Sequence, residues 1–184
     1  VLAFCKEQNI TPYVFYMGAF NILMSKFSGN EDVVVGMPIS GRSSNYLDTI
    51  GMFVNTIALR NQPVGTKTVA DFLQEVKANS VAAMEHQDYP YGELVKKLHL
   101  DTPGRNPLFD VMFAYQSEQM TDVVFADQKA DLLPIPITTA KYDLTFNVMP
   151  RETGVVVMAE YCTDLFKDNT VQRFVDGYKQ ILAQ

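Results

Sequence analysis

Apolar and polar positions alternate along this chain with two different periods, and the switches between them mark out its elements. Thr11-Pro12 opens the run YVFYMGAFNILMSKF, with an N-cap hydroxyl followed by a proline at the first helical position. Apolar side chains occupy nearly every face of that run, which predicts a buried central helix ending at Ser28-Gly29-Asn30. DVVVGMPIS is rich in β-branched residues and predicts a buried strand. A polar loop over Gly41–Asp48 precedes a second strand, expected from Phe53 to Leu59. A turn at Pro63–Gly65 leads to a helix capped by Thr68. Its Val69, Phe72, Leu73, Val76 and Ala83 share one face, while Lys77, Asn79 and Glu85 lie elsewhere, as suits a helix covering a sheet.

The segment His86–Pro90 breaks that helix, YGELVKKL predicts a short one, and DTPGRNP reads as loop. Strict alternation from Phe109 to Tyr115 predicts a third strand. Residues 117–140 carry no clear period, and Pro134 and Pro136 favour extended or irregular chain there. Alternation returns from Tyr142 to Val148, passes through MPRETG as a turn, and continues into VVVMAEY, a hairpin pattern. Asp168 is expected to cap a last helix with an apolar stripe of Val171, Phe174, Val175, Tyr178, Ile181 and Leu182. The opening VLAFCKEQN reads as the tail of a helix, so the chain is expected to start inside a longer one. Mixed helices and strands with long connections predict an α/β, two-layer sandwich in which helices cover a mixed sheet.

Composition narrows the function classes. The 184 residues are 47% hydrophobic and 20% charged, which suits one globular domain or a large subdomain. A formal net charge of −6 lacks the basic stripe that nucleic-acid binding needs. Apolar runs fall short of the roughly 18–20 residues of a membrane span. Cys5 and Cys162 both sit in apolar company and read as free buried thiols, which fits a cytoplasmic setting.

Catalytic patterns are sparse. A nucleophile needs an adjacent base and an orienting group, and the available bases are His86 and His99. His86, in HQDYP, is placed to bond the last carbonyls of a helix, and His99, in KKLHL, reads as a surface or partly packed residue. The sequence contains no G-x-S-x-G, no H-E-x-x-H, no C-x-x-C and no G-x-G-x-x-G. Asn55 shares strand parity with Phe53, Ile57 and Leu59, so its amide either ties backbone or faces a pocket. Asp143, Thr145 and Asn147 form a polar strand face that is either solvent-facing or the wall of a tunnel.

Three stretches together resemble the condensation domains of nonribosomal peptide synthetases. IGMFVNTIALR (Ile50–Arg60) is similar to the family's fifth core motif, HQDYPYGEL (His86–Leu94) to the sixth, and GRNPLFDVMFAYQ (Gly104–Gln116) to the seventh. Tyr91 stands for the usual Phe, Gly92 for the usual Glu with Glu93 one place later, and Gly104 for the usual Ser. SKFSGNEDVVVGMPISGR, KYDLTF and EYCTDLFKDNTVQRF match the flanking segments in order, so the resemblance covers nearly the whole chain. The family's H-H-x-x-x-D-G motif is absent from these residues.

The resemblance implies a chloramphenicol acetyltransferase-like lobe, with residues 1–184 as the C-terminal subdomain of a condensation domain whose N-terminal lobe carries the catalytic histidines. In the family, two lobes meet in a V and a tunnel runs along their seam. Donor and acceptor peptidyl carrier proteins bring thioester-bound substrates to opposite ends of it on phosphopantetheine arms. The implied partners are therefore the N-terminal lobe and those carriers, and no directly bound cofactor or metal is expected. Gly51, Met52, Phe53, Asn55 and Thr56 are the residues the resemblance first assigns to the seam, followed by Arg42, Tyr142 and Asp143. Arg105, Asn106 and Pro107 are expected to fix a loop. No residue here is expected to be catalytic, so the chain alone is expected to be inactive and, with an apolar seam uncovered, to self-associate. The alternative is a non-catalytic interaction module that binds a carrier protein or a partner lobe.

Overall fold

Helix α2 (Pro12–Ser28) is the element around which the rest is packed, and its sequence explains why. Thr11 accepts a hydrogen bond from the Val14 amide at its start, and Gly29 ends it in the left-handed conformation at φ 73°. Apolar on most faces, the helix is enclosed rather than surface-bound, and Met17, Phe20 and Leu23 are almost completely buried. The computed structural model describes residues 1–42, 44–100, 104–116, 123–125, 128–130, 138–151 and 154–184.

The sheet against α2 contains β1 (Val33–Ile39), β2 (Asn55–Asn61), β3 (Val111–Tyr115), β6 (Leu144–Arg151) and β7 (Gly154–Tyr161), in the order β2-β1-β3-β6-β7. The outer pairs β1/β2 and β6/β7 are antiparallel, whereas β3 lies parallel to both β1 and β6. This is the mixed sheet expected from the sequence. Helices α1 (Leu2–Glu7), α2, α3 (Val69–Glu85) and α5 (Asp168–Ala183) belong to the helical layer, and a short α4 (Tyr91–Leu98) follows α3. Two three-residue strands, β4 (Val123–Phe125) and β5 (Gln128–Ala130), pair only with each other. They fall in the segment expected to be extended or irregular. Pro134 and Pro136 lie outside the described residues.

Alternate strand residues meet the helices. Val35, Leu59, Phe113, Leu144, Phe146 and Val148 are buried on that side with the α2 face. Phe20 is the centre of an aromatic cluster, with ring centroids 5.4 Å from Phe113 and 5.0 Å from Phe146. Tyr178 of α5 packs edge-on to Phe146 and donates its hydroxyl to the Tyr16 carbonyl at 2.9 Å, which satisfies the buried phenol. Among the described residues, no helix is long and apolar enough to cross a membrane.

A chain of asparagines crosses the same core. Asn21 of α2 and Asn61 of β2 are fully buried. Asn21 donates to the Met17 carbonyl at 2.7 Å, Asn61 to Asn21 at 3.4 Å, and Asn79 of α3 to Asn61 at 2.9 Å. Helix α2, strand β2 and helix α3 are thereby held in one register.

Several boundaries differ from expectation. Strand β6 begins at Leu144 rather than Tyr142, and Met149–Arg151, expected in the turn, extend it by pairing with β7. Strand β2 begins at Asn55 rather than Phe53, because its ladder ends where Ile39 meets Asn55 and β1 gives way to a left-handed Gly41. Strand β3 begins at Val111 rather than Phe109, whose ring turns onto the backbone of β1. Asp168 is the first residue of α5 rather than its cap; Lys167 holds the cap position, and the Asp168 carboxylate accepts the Tyr161 hydroxyl at 2.6 Å.

Two measurements check this core. Asn61→Ala leaves Asn21 and Asn79 with unmet bonds, and denaturant unfolding should show a loss of about 2–3 kcal/mol; an unchanged midpoint would contradict the relay. Burial pushes the Tyr13 phenol up to about 12 from its ordinary 10, against a smaller opposing pull from the Ser80 hydroxyl. The folded state then holds that proton longer than the unfolded chain does. Stability should be level below pH 10 and fall by about 2–3 kcal/mol as the pH climbs to 12. Tyr13→Phe should remove that part of the slope, and a variant with the wild-type slope would contradict the assignment.

Candidate functional site

The three motif-bearing segments come together at the end of β1 and β2. The first is the loop before β2. Gly41 sits at φ 57°, and a Cβ there would come within 2.1 Å of the Phe53 carbonyl oxygen, so only glycine fits this close crossing of the chain. Beside it, the Arg42 guanidinium donates to the carbonyls of Tyr46 at 2.6 Å and Thr49 at 2.5 Å, reaches the Gly51 carbonyl at 3.5 Å, and lies 4.1 Å above the Phe53 ring. A turn of 3-10 helix over Ser44–Tyr46 brings the Tyr46 ring to 5.7 Å from Phe53. Met52 points away from this cluster and is 89% exposed.

Asn55 links the loop to the second segment. Its side-chain amide donates to the carbonyls of Gln87 at 2.8 Å and Tyr89 at 3.0 Å, and its oxygen accepts from the Tyr91 amide at 3.4 Å. Three backbone groups of the irregular turn between α3 and α4 are met by one side chain. Of the two roles open to Asn55 in the sequence, tying backbone is the one seen. Thr56 faces the other way, into a groove of about 540 Å³ shared with His86, Tyr89, Tyr91 and Lys97. His86 stands at the end of α3, but it is its backbone amide, not the imidazole expected from the sequence, that bonds the Ala83 and Met84 carbonyls, and His99 closes α4 in the left-handed conformation at φ 55°.

Tyr91 carries the link to the third segment. Its hydroxyl donates to the Pro107 carbonyl, and its ring centroid lies 5.5 Å from that of Phe109. Phe109 in turn packs 5.6 Å from Tyr142. The Phe109 ring also lies flat against Gly36 of β1, where an added Cβ would meet it at 2.2 Å. Asn106 donates to the Lys141 carbonyl at 3.3 Å, so the R-N-P segment does fix its loop as expected. Leu108 takes the strained left-handed conformation at φ 71°, held by these contacts on either side.

Charge concentrates at the far end of this arrangement. Arg105 grips Asp110 with two parallel hydrogen bonds, one of them 2.8 Å long. The Asp143 amide donates to the Asp110 carbonyl at 3.0 Å. Burial raises the Asp143 carboxyl above the ordinary carboxylate range, Asp110 adds to that rise, and Arg105 opposes it. Thr145 and Asn147 continue the polar face of β6 on the side away from α2, with Thr145 buried.

Of the eight positions assigned to the seam, Arg42, Gly51 and Phe53 form the loop cluster with Met52 exposed beside it, and Tyr142 and Asp143 sit with Phe109 and Asp110. Asn55 joins these two groups through Tyr91, and Thr56 lies apart from both, in the groove with His86. Gly36 and Phe109 are parts of the site that the sequence did not single out, whereas Pro107 was expected only to fix its loop. The replacement of the usual Phe by Tyr at position 91 was a visible sign of an added hydrogen bond. Among the described residues, no cluster of three or more His, Cys, Asp or Glu side chains could hold a metal ion.

A mixed five-stranded sheet covered by helices, with these three segments knitted together, is an α/β fold of the chloramphenicol acetyltransferase-like kind. The condensation-domain family model matches residues 1–184, and the chain belongs to the condensation-domain family. It is 44% identical over 181 residues to tyrocidine synthase 2 of Brevibacillus parabrevis, covering 95% of this chain and 5% of that protein. It is 42% identical over 179 residues to surfactin synthase subunit 2 of Bacillus subtilis, covering 96% of this chain and 5% of that protein. The chain therefore spans only a small fraction of the length of these relatives. Its fold matches a four-domain nonribosomal peptide synthetase with a TM-score of 0.88 at 20% identity, covering 99% of this chain and 15% of that one. It also matches the condensation domain of a monacolin K polyketide synthase with a TM-score of 0.80 at 22% identity, covering 97% of this chain and 42% of that one.

The knitting of the segments is measurable. Asn55→Ala should cost about 2–3 kcal/mol and Tyr91→Phe about 1 kcal/mol in denaturant unfolding. A double-mutant cycle should show coupling of about 0.5 kcal/mol or more, since both act on the same turn. Strict additivity would mean that the two ties act independently.

Proposed function

We propose that residues 1–184 are the C-terminal lobe of a condensation domain and supply one wall of the seam in which an amide bond forms. In this reading, two peptidyl carrier proteins present thioesters on phosphopantetheine arms. The acceptor amine attacks the donor thioester carbonyl, the C–N bond forms, the C–S bond breaks, and the donor arm leaves as its thiol. The histidine that assists this attack belongs to the lobe that precedes this one in the parent chain. This chain contributes position and surface rather than a base. The reading places the chemistry in the cytoplasm, a setting that suits the free cysteines Cys5 and Cys162.

The observation that carries the reading is the loop before β2. Leu47, Ile50, Met52 and Val54 are all exposed there, Ile50 completely so, next to the family's fifth motif. A single lobe gains nothing by displaying those side chains to water, whereas a lobe with a partner across the seam covers them. Gly51, Met52, Phe53, Asn55 and Thr56 are placed by this reading along the seam, with Arg42, Tyr142 and Asp143 supporting its edge. The uncovered surface also supports self-association of the isolated lobe.

Incubation with aminoacyl-loaded donor and acceptor carrier proteins tests the assignment. The 184-residue chain should yield no dipeptide, and the complete condensation domain should yield it. Met52→Glu in the complete domain should lower the yield at least tenfold by placing a charge in the seam. Dipeptide formed by the 184-residue chain alone would overturn the division of labour between the lobes.

A further inference from the structure

We propose that Arg42 is a positioning residue that keeps the 44–54 loop pre-formed as a rigid apolar ridge, on which the rest of the condensation domain docks. The inference rests on the seam reading above and adds what holds that seam in shape. Sequence reasoning placed Arg42 on the wall itself; its geometry turns it inward instead. The guanidinium is directed at three carbonyls of the loop, those of Tyr46, Thr49 and Gly51, and its face covers the Phe53 ring at 4.1 Å. Those carbonyls have no strand partner, because β1 stops at Ile39 and β2 starts at Asn55. One planar cation thus takes the place of a ladder.

The consequence is a loop that turns the Phe53 ring inward, with the Tyr46 ring packed on it, and displays a row of apolar side chains to the outside. Phe53 is turned in, while Tyr46, Leu47, Ile50, Met52 and Val54 are 51%, 67%, 101%, 89% and 58% exposed. Gly41 fixes the other end of the crossing, since any side chain there would strike the Phe53 carbonyl. Between Ser44 and Val54 the only charged side chain is Asp48, so the ridge suits an apolar partner surface. A loop ordered before docking avoids most of the entropic cost of being ordered at the interface. The partner is the remainder of the domain, because this chain makes up only 42% of a solved condensation domain of the same fold.

Lysine does not reproduce Arg42 in this role, because its three donors radiate from one compact nitrogen and lack the planar fork that spans these carbonyls while lying over the Phe53 ring. The test compares Arg42→Ala, Arg42→Lys and the double variant Ile50→Ser/Met52→Ser. Amide hydrogen exchange is read on the 184-residue chain and condensation turnover on the complete domain. Both Arg42 variants should speed exchange over residues 46–54 about tenfold or more while the Phe113 amide stays protected, and both should lower turnover about tenfold. The double variant should lower turnover with exchange in the loop unchanged. Unchanged exchange in the Arg42 variants, or faster exchange with full turnover, would overturn the role of Arg42. Full turnover in the double variant would instead remove the seam reading on which the proposal stands, whatever the Arg42 exchange shows.

Discussion

One carboxamide holds the site together. Asn55 stands at the last pair of the β1/β2 ladder, where the sheet runs out of backbone partners, and its side chain supplies three of them to the turn between α3 and α4. A turn of that kind would otherwise leave carbonyls and an amide without defined bonds, each carrying a desolvation cost of about 1–3 kcal/mol if buried. With the turn fixed, Tyr91 is presented to Pro107, Phe109 is pressed onto Gly36, and Tyr142 is packed against Phe109. The order of dependence runs from one amide outward to three chain segments that are distant in sequence.

This arrangement explains what the three recognisable motifs do in the fold. Each motif contributes to a shared surface by fixing backbone: glycine where chains cross, asparagine and arginine where carbonyls lack a ladder, and aromatic rings where two segments press together. Arg42 and Asn55 do equivalent work on either side of Phe53. One organises the loop before β2 by a fan of hydrogen bonds, and the other organises the turn beyond it. Under the proposed function this rigidity matters, since a wall that positions reactants loses rate when it shifts by even about 1 Å.

Most of the fold was legible in the sequence because its signals are local. The Thr11-Pro12 start of α2, the Thr68 cap of α3 and the alternation that marks β6 from Leu144 onward each depend on neighbours a few residues away. The failures occurred where a distant segment decides the outcome. Phe109 alternates as a strand residue should, yet Gly36, more than seventy positions earlier, offers its ring a flat bed and draws it out of the ladder. Phe53 likewise reads as strand until Arg42 and Gly41 claim it for the loop. For the site, parity placed Asn55 correctly on the helix-facing side of β2, but parity cannot say which backbone groups it will meet. The weak period over 117–140 concealed β4 and β5, which are only three residues each.

The central claim is that the ridge before β2 is one half of an interface. Hydroxyl-radical footprinting of methionine tests it directly, because Met52 is 89% exposed in this lobe while Met17 is fully buried. In the isolated chain Met52 should oxidise rapidly and Met17 slowly. In the complete condensation domain Met52 should be protected about tenfold or more, with Met17 unchanged. Equal oxidation of Met52 in the lobe and in the complete domain would contradict the account.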